Sequence, residues 1–181
     1  TTISTHPYTV APGIFDTNLS SSSWSNSTSV WTNLAGASGQ AIAIPSASNG
    51  STATLTFNVN GGYALSISQY RFYIRRATTA PITWSMTING NAVGTGNILT
   101  AGATTGFIPT SVTGLTGFVS VVLTFTGGSG SGSIRIDDFR LDGSNCTAPT
   151  ITLGANPAVC QGATSANLPY SATTGSPDQY K

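Results

Sequence analysis

The run Thr54-Leu55-Thr56-Phe57-Asn58-Val59 alternates polar and apolar side chains residue by residue and stops at Asn60-Gly61-Gly62. Only an extended chain, whose successive side chains point to opposite faces, turns that pattern into one dry and one wet surface. The same period recurs in Tyr70, Phe72 and Ile74, and again in Ile82, Trp84, Met86 and Ile88, which closes on the hairpin dipeptide Asn89-Gly90. These two runs are expected to form adjacent strands. Phe118 to Phe125 is apolar at both parities and is expected to lie centrally in a sheet, with Gly127 to Gly132 as the turn that follows.

Composition removes the helical alternative. Only 6% of the 181 residues are charged, against about 25% in an ordinary soluble chain, so solubility rests on Thr, Ser, Asn and Gly. Those residues disfavour helix, and Thr with Val and Ile suits a pleated surface. Adding candidates at Gln40 to Ile44, Ala92 to Leu99 and Gly106 to Ile108 gives about eight strands at regular spacing, the signature of a β-sandwich. The chain reads as all-β, with a jelly roll over residues 1–144.

One strand carries a change of parity. In Ser133 to Leu141, Ile134 and Ile136 share one face, whereas Phe139 and Leu141 share the other. If all four point inward, one extra residue must be absorbed at Asp137-Asp138, and a β-bulge does this. After Asp142-Gly143-Ser144 the texture changes to prolines and small residues. Residues 145–181 read as a linker and the opening strands of a second, immunoglobulin-like β-domain, too short to bury a core of their own. Residues 1–12 and 145–181 are candidate exchanged strands, paired with other β-domains of the same or neighbouring chains. Cys146 and Cys160, an even count at short spacing in a Thr/Ser-rich chain, are expected to form a disulfide, which implies export.

Several chemistries are poorly supplied. The net charge of +1, with one Lys and five Arg, leaves no basic stripe for nucleic acid. No apolar stretch reaches the roughly 20 residues of a membrane helix, so no direct membrane insertion is expected. There is no Glu, and the five acids are Asp16, Asp137, Asp138, Asp142 and Asp178. A glycosidase needs two carboxylates flanking one bond, and the neighbours Asp137 and Asp138 would face opposite sides of a regular strand. His6 has no nucleophile motif beside it and reads as a mobile terminal residue. No catalytic residue and no obligatory cofactor are expected.

Two stretches carry a resemblance. Phe72-Tyr73-Ile74-Arg75-Arg76-Ala77-Thr78-Thr79-Ala80-Pro81-Ile82-Thr83-Trp84 resembles a strand pair of bacterial extracellular jelly-roll domains, and Ile136-Asp137-Asp138-Phe139-Arg140-Leu141 resembles their terminal strand. The tail Ile151-Thr152-Leu153-Gly154-Ala155-Asn156-Pro157-Ala158-Val159-Cys160-Gln161-Gly162 is similar to the start of repeated immunoglobulin-like modules in large surface proteins exported by the type IX pathway of gliding bacteria. The resemblance implies a modular extracellular, cell-surface protein of which this is one segment.

Asp137 and Asp138, with Asp16, are candidate ligands for a structural Ca²⁺, as in similar jelly rolls. The competing expectation is an ion pair with Arg76, which falls on the inward parity of Phe72 and Ile74 and needs an anion there. Pairing is preferred, because calcium takes six to eight oxygens and at most three side chains are in view. Trp24 and Trp31, with Tyr73, are candidates for an aromatic platform under sugar rings. The plainer reading is that both tryptophans cover an open edge of the sandwich. The functional expectation is a non-catalytic adhesion or structural module, a stalk or fibre element. The alternative is a carbohydrate-binding module that contacts surface glycans on behalf of an extracellular enzyme.

Overall fold

A computed structural model describes residues 5–147 and, beyond them, the strands Thr152–Leu153 and Tyr170–Ser171. Eleven strands run through 5–147: β1 (Leu19–Asn26), β2 (Thr32–Ala35), β3 (Gln40–Ala47), β4 (Thr52–Val59), β5 (Tyr63–Arg76), β6 (Thr83–Ile88), β7 (Asn91–Asn97), β8 (Ala103–Thr104), β9 (Ile108–Leu115), β10 (Gly117–Thr126) and β11 (Gly132–Thr147). One sheet has the order β1-β4-β10-β6-β7, the other β2-β3-β11-β5, with β8 and β9 both bonded to β5. Every pairing between them is antiparallel. Setting aside β1, β2 and β8 leaves β4-β10-β6-β7 facing β3-β11-β5-β9. This is the strand order of a jelly roll, two Greek keys wound together.

The core follows the alternation. Leu55, Phe57 and Val59 of β4, Val119, Val121, Leu123 and Phe125 of β10, and Trp84, Met86 and Ile88 of β6 face Tyr70, Phe72 and Ile74 of β5 and Ile134 and Ile136 of β11. Each large apolar side chain withdrawn from water contributes about 1.5–3 kcal/mol, so this interior is the main source of stability. Asn89 and Gly90 both take left-handed backbone angles (φ 46° and 82°), the geometry of the tight β6–β7 hairpin.

Three expectations are corrected here. The runs ending at Arg76 and Ile88 are not neighbours in one sheet, because β5 and β6 lie in opposite sheets. Their alternation is met by packing across the core instead of hydrogen bonding side by side. β10 is central, as expected, but only one of its faces is dry: Phe118 is 62% exposed on the outer face. Among the described residues no element covers Phe118 on that face. His6 is likewise not free. Its Nε2 accepts the Asn26 N–H at 3.0 Å, and its ring lies 5.8 Å from that of Trp31.

The expected bulge is present. Asp137 is opposite Tyr73 and Arg140 opposite Arg71, so residues 138 and 139 of β11 share the single partner Phe72. Asp138 takes up the excess in a left-handed conformation (φ 48°). Phe139 is thereby turned inward, where it stacks on Phe72 at 5.7 Å. β11 runs on to Thr147, three residues past the expected domain boundary at 144. Thr152–Leu153 pairs antiparallel with Tyr170–Ser171. The rest of the expected second domain lies outside the described residues, as does Cys160. Its expected partner Cys146 is exposed on β11.

Candidate functional site

The cleft arises from a mismatch in strand length. β3 pairs with β11 only as far as Ile42 opposite Ile136, whereas β11 continues to Thr147 with β5 as its one strand partner among the described residues. In the opposite sheet β1 is the edge strand. The two sheets therefore part along this side, and the segment Val10 to Asp16 crosses the gap. Tyr8 anchors that segment through two 2.8 Å backbone bonds to Trp24.

The opening is a cleft of about 660 Å³. Its floor is apolar, made of Leu55 and Phe57 from β4 and Leu65 and Ile67 from β5. A smaller cleft of about 360 Å³ adjoins it, lined by Tyr8, Val10 to Gly13, Trp24 and Phe139. A second irregularity shapes the floor: Asp142 is opposite Gln69 but Gly143 is opposite Ile67, so Ser68 is extra on β5. This switches β5 from the parity of Leu65 and Ile67 to that of Tyr70 and Phe72.

The rim is polar and fixed. Arg140 Nε meets Asp142 Oδ1 at 2.5 Å, and Gln69 Nε2 donates to Asp142 Oδ2 at 2.9 Å. The hydrogen bond from Arg140, then that from Gln69, hold the Asp142 carboxyl below the usual carboxylate range, with the charges of Arg140 and Arg71 adding to them against a small cost of desolvation. Phe107 of the β8–β9 loop, 43% exposed, lies under two guanidinium groups, Arg71 at 4.7 Å and Arg140 at 5.6 Å from its ring centre. Such stacking keeps a flat charged group in one plane without using its N–H donors. Asp16, Asp138, Ser144 and Asn145 complete the edge.

The residues singled out from sequence are mostly elsewhere. Arg76 forms no ion pair with Asp137 or Asp138. Its Nε donates to the Ile98 carbonyl at 2.9 Å, and Nη1 donates to those of Ala77 at 3.1 Å and Thr78 at 2.6 Å. An inward arginine at the end of the sandwich reaches loop carbonyls, and these satisfy it as an anion would. Asp137 Oδ2 accepts the N–H groups of Ala37 at 2.9 Å and Ser38 at 3.4 Å, tying down the turn between β2 and β3. Asp16 Oδ1 accepts the Asn18 N–H at 2.8 Å. Among the described residues no three His, Cys, Asp or Glu side chains are grouped to hold a metal ion. Asp16, Asp137 and Asp138 therefore do not fit the calcium site that the resemblance implies.

Nor do the aromatic candidates share a surface. Trp31 is 5% exposed and belongs to the core, and Tyr73 of β5 is backed against Gly102. Trp24 turns inward and meets Phe139 edge-on. Sequence reasoning missed Arg71, Phe107 and Arg140. The signal available was the parity of Arg71, opposite to that of Tyr70 and Phe72, which places it on the wet face; nothing in the sequence ties Phe107 to it.

No protein-family model matches the chain, and no curated protein does. Solved structures with some likeness include a family two carbohydrate esterase from Clostridium thermocellum in complex with cellohexaose, at TM-score 0.39 and 14% identity. That match covers 61% of this chain and 30% of the esterase, so the chain spans under a third of it. A carbohydrate-binding module specific for non-crystalline cellulose aligns at TM-score 0.38 and 14% identity over 77% of this chain and 97% of that one. A family 11 carbohydrate-binding module of a cellulosomal cellulase from Clostridium thermocellum aligns at 0.38 and 12%, over 77% and 96%. These are likenesses in outline; the jelly-roll assignment rests on the strand order of the chain itself.

Proposed function

We propose that this chain is a non-catalytic glycan-recognition module of a larger secreted, cell-surface protein. The observation that carries this reading is the cleft itself, an apolar floor beneath a rim of planar, hydrogen-bonded groups. A sugar ring presents C–H faces and hydroxyl edges together, and a site for it needs apolar area with a few oriented donors and acceptors around it. The Arg140–Asp142–Gln69 chain is ordered before a ligand arrives, which lowers the entropy lost on binding.

The non-catalytic part of the reading is supported by the carboxylates. Hydrolysis of a glycoside calls for one acid whose proton is retained near neutrality. Arg140 drives Asp142 the opposite way, and Asp137 is committed to the amides of Ala37 and Ser38. Placement at the cell surface, in a chain exported by the type IX pathway, follows from the sequence resemblance, and adhesion would then be attachment to glycans. Affinity electrophoresis through gels cast with soluble polysaccharides tests the reading. Retardation in at least one gel, relieved in Arg140→Ala and without release of reducing ends, is expected; equal mobility in every gel contradicts it.

A fibre or stalk role has one observation in its favour. From Asp138 to Thr147 the outer edge of β11 carries no strand among the described residues. An open edge of that length is a template for an added strand. Growth of particle mass with concentration in light scattering would support assembly, and a constant monomer mass would remove it.

A further inference from the structure

We infer that the cleft selects acidic glycans, those bearing a uronate carboxylate, with Arg71 as the residue that recognises the charge. The inference rests on the glycan reading above and goes further by naming the class of sugar. It starts from a difference between two arginines that share one aromatic ring. Arg140 is already engaged by an anion, its Nε bonded to Asp142. Arg71, across the β5–β11 ladder from Arg140, stacks on Phe107 and has no hydrogen-bond acceptor among the described residues. A guanidinium held in plane by a ring, with no acceptor bonded to it and among the residues lining the cleft, matches the two oxygens of a carboxylate in a bidentate arrangement.

The other charges around the cleft permit this. Asp142 is neutralised by Arg140 and further satisfied by Gln69, and Asp16 is turned onto the Asn18 amide. Asp138 is the remaining carboxylate. It sits at the bulge where the larger and smaller clefts meet, whereas Arg71 lines the larger one alone. A ligand carboxylate seated on Arg71 therefore lies beside a cation to which no anion is bonded, the Asp142 carboxylate acting on Arg71 only through space. The same arrangement predicts that Asp138 opposes the ligand weakly, through space.

The test is calorimetric titration of the full chain with an oligogalacturonate and with a neutral gluco-oligosaccharide of equal length. The inference expects tighter binding of the acidic probe, weakened by added salt, and a loss of at least about tenfold in the acidic-to-neutral affinity ratio in both Arg71→Ala and Arg71→Lys, because a lysine lacks the two-pronged donor edge. Asp138→Asn, which removes a charge without removing packing, is expected to raise that ratio roughly twofold to threefold. Equal or better binding of the neutral probe, a ratio that survives both Arg71 variants, or no rise in Asp138→Asn overturns the inference and leaves the glycan reading standing. If neither probe nor any polysaccharide gel retains the protein, the glycan reading itself fails.

Discussion

Phe139 of β11 meets Trp24 of β1 edge-on across the gap between the sheets, with ring centres 5.1 Å apart and planes at 84°. The contact exists because Asp138 absorbs one residue in a left-handed turn and so rotates Phe139 inward. Truncation tests this joint. Phe139→Ala is expected to cost about 2 kcal/mol, below the 3–5 kcal/mol of a fully enclosed phenylalanine because one side of the ring faces the cleft. Urea unfolding would measure it, and a change under about 0.5 kcal/mol would show that the two sheets do not depend on this contact.

The bulge has its own signature. A β-branched residue cannot adopt the Asp138 backbone angle without strain, so Asp138→Val is expected to lose about 1–2 kcal/mol. Asp138→Gly is expected to keep or slightly raise stability. Thermal melts should place Asp138→Val below the parent and Asp138→Gly level with it or above; equal losses would place the strain elsewhere.

Much of the sandwich was legible in the sequence because β4, β6 and β10 obey period two without interruption. Leu55, Phe57 and Val59 declared β4, and the parity change between Ile136 and Phe139 declared the bulge. β1 was not legible, since Leu-Ser-Ser-Ser-Ser-Trp-Ser-Asn offers only Leu19 and Trp24 to the interior, and a polar edge strand is defined by its partner β4 more than by its own pattern. The functional cleft was not legible either. It is created by β3 ending short of β11, and Arg71, Arg140 and Phe107 converge through pairings between segments more than 30 residues apart. The aromatic residues that a single sequence makes conspicuous, Trp24 and Trp31, went instead to the interior.

Close backbone approach supplies a third prediction. A Cβ on Gly143 would run into the carbonyl oxygen of Ser66, a backbone atom that cannot swing aside. Gly143→Ala is therefore expected to destabilise by about 1–3 kcal/mol through forced displacement of β11 from β5. Gly61, with nothing around its side-chain direction, is the control. Its alanine variant should melt within about 0.5 kcal/mol of the parent, and a larger loss than that of Gly143→Ala would contradict the packing described.

Tyr70 makes stability sensitive to alkali. Burial pushes its phenol up to about 12, and its hydroxyl donates to the Val93 carbonyl at 3.1 Å. The folded state then holds a proton that the unfolded chain releases near 10, so stability falls as pH rises from about 10 towards 12. Tyr70→Phe should flatten that part of the curve in chemical denaturation. An unchanged alkaline slope would show that the hydroxyl is not the group responsible.

At the acid end the sign reverses. The Asp142 carboxyl is held low by Arg140 and Gln69, so its contribution is complete above the ordinary carboxylate range and is lost as pH falls through that range to the depressed value. Retardation by a polysaccharide gel is expected to persist through the ordinary carboxylate range and to fade only towards the depressed value, where the folded protein takes up the proton, and Asp142→Asn should abolish that pH dependence. Binding that weakens equally with acid in that variant would assign the effect to another group.

The central claim is that ligand enters between the free edge of β11 and the strand β1. Amide NMR titration of the full chain with a bound oligosaccharide locates the ligand directly. The account predicts that the shifted amides cluster at Arg71, Phe107 and residues 138–145, with the outer face around Phe118 unmoved; shifts confined to that outer face, or none anywhere at saturating oligosaccharide, would contradict it.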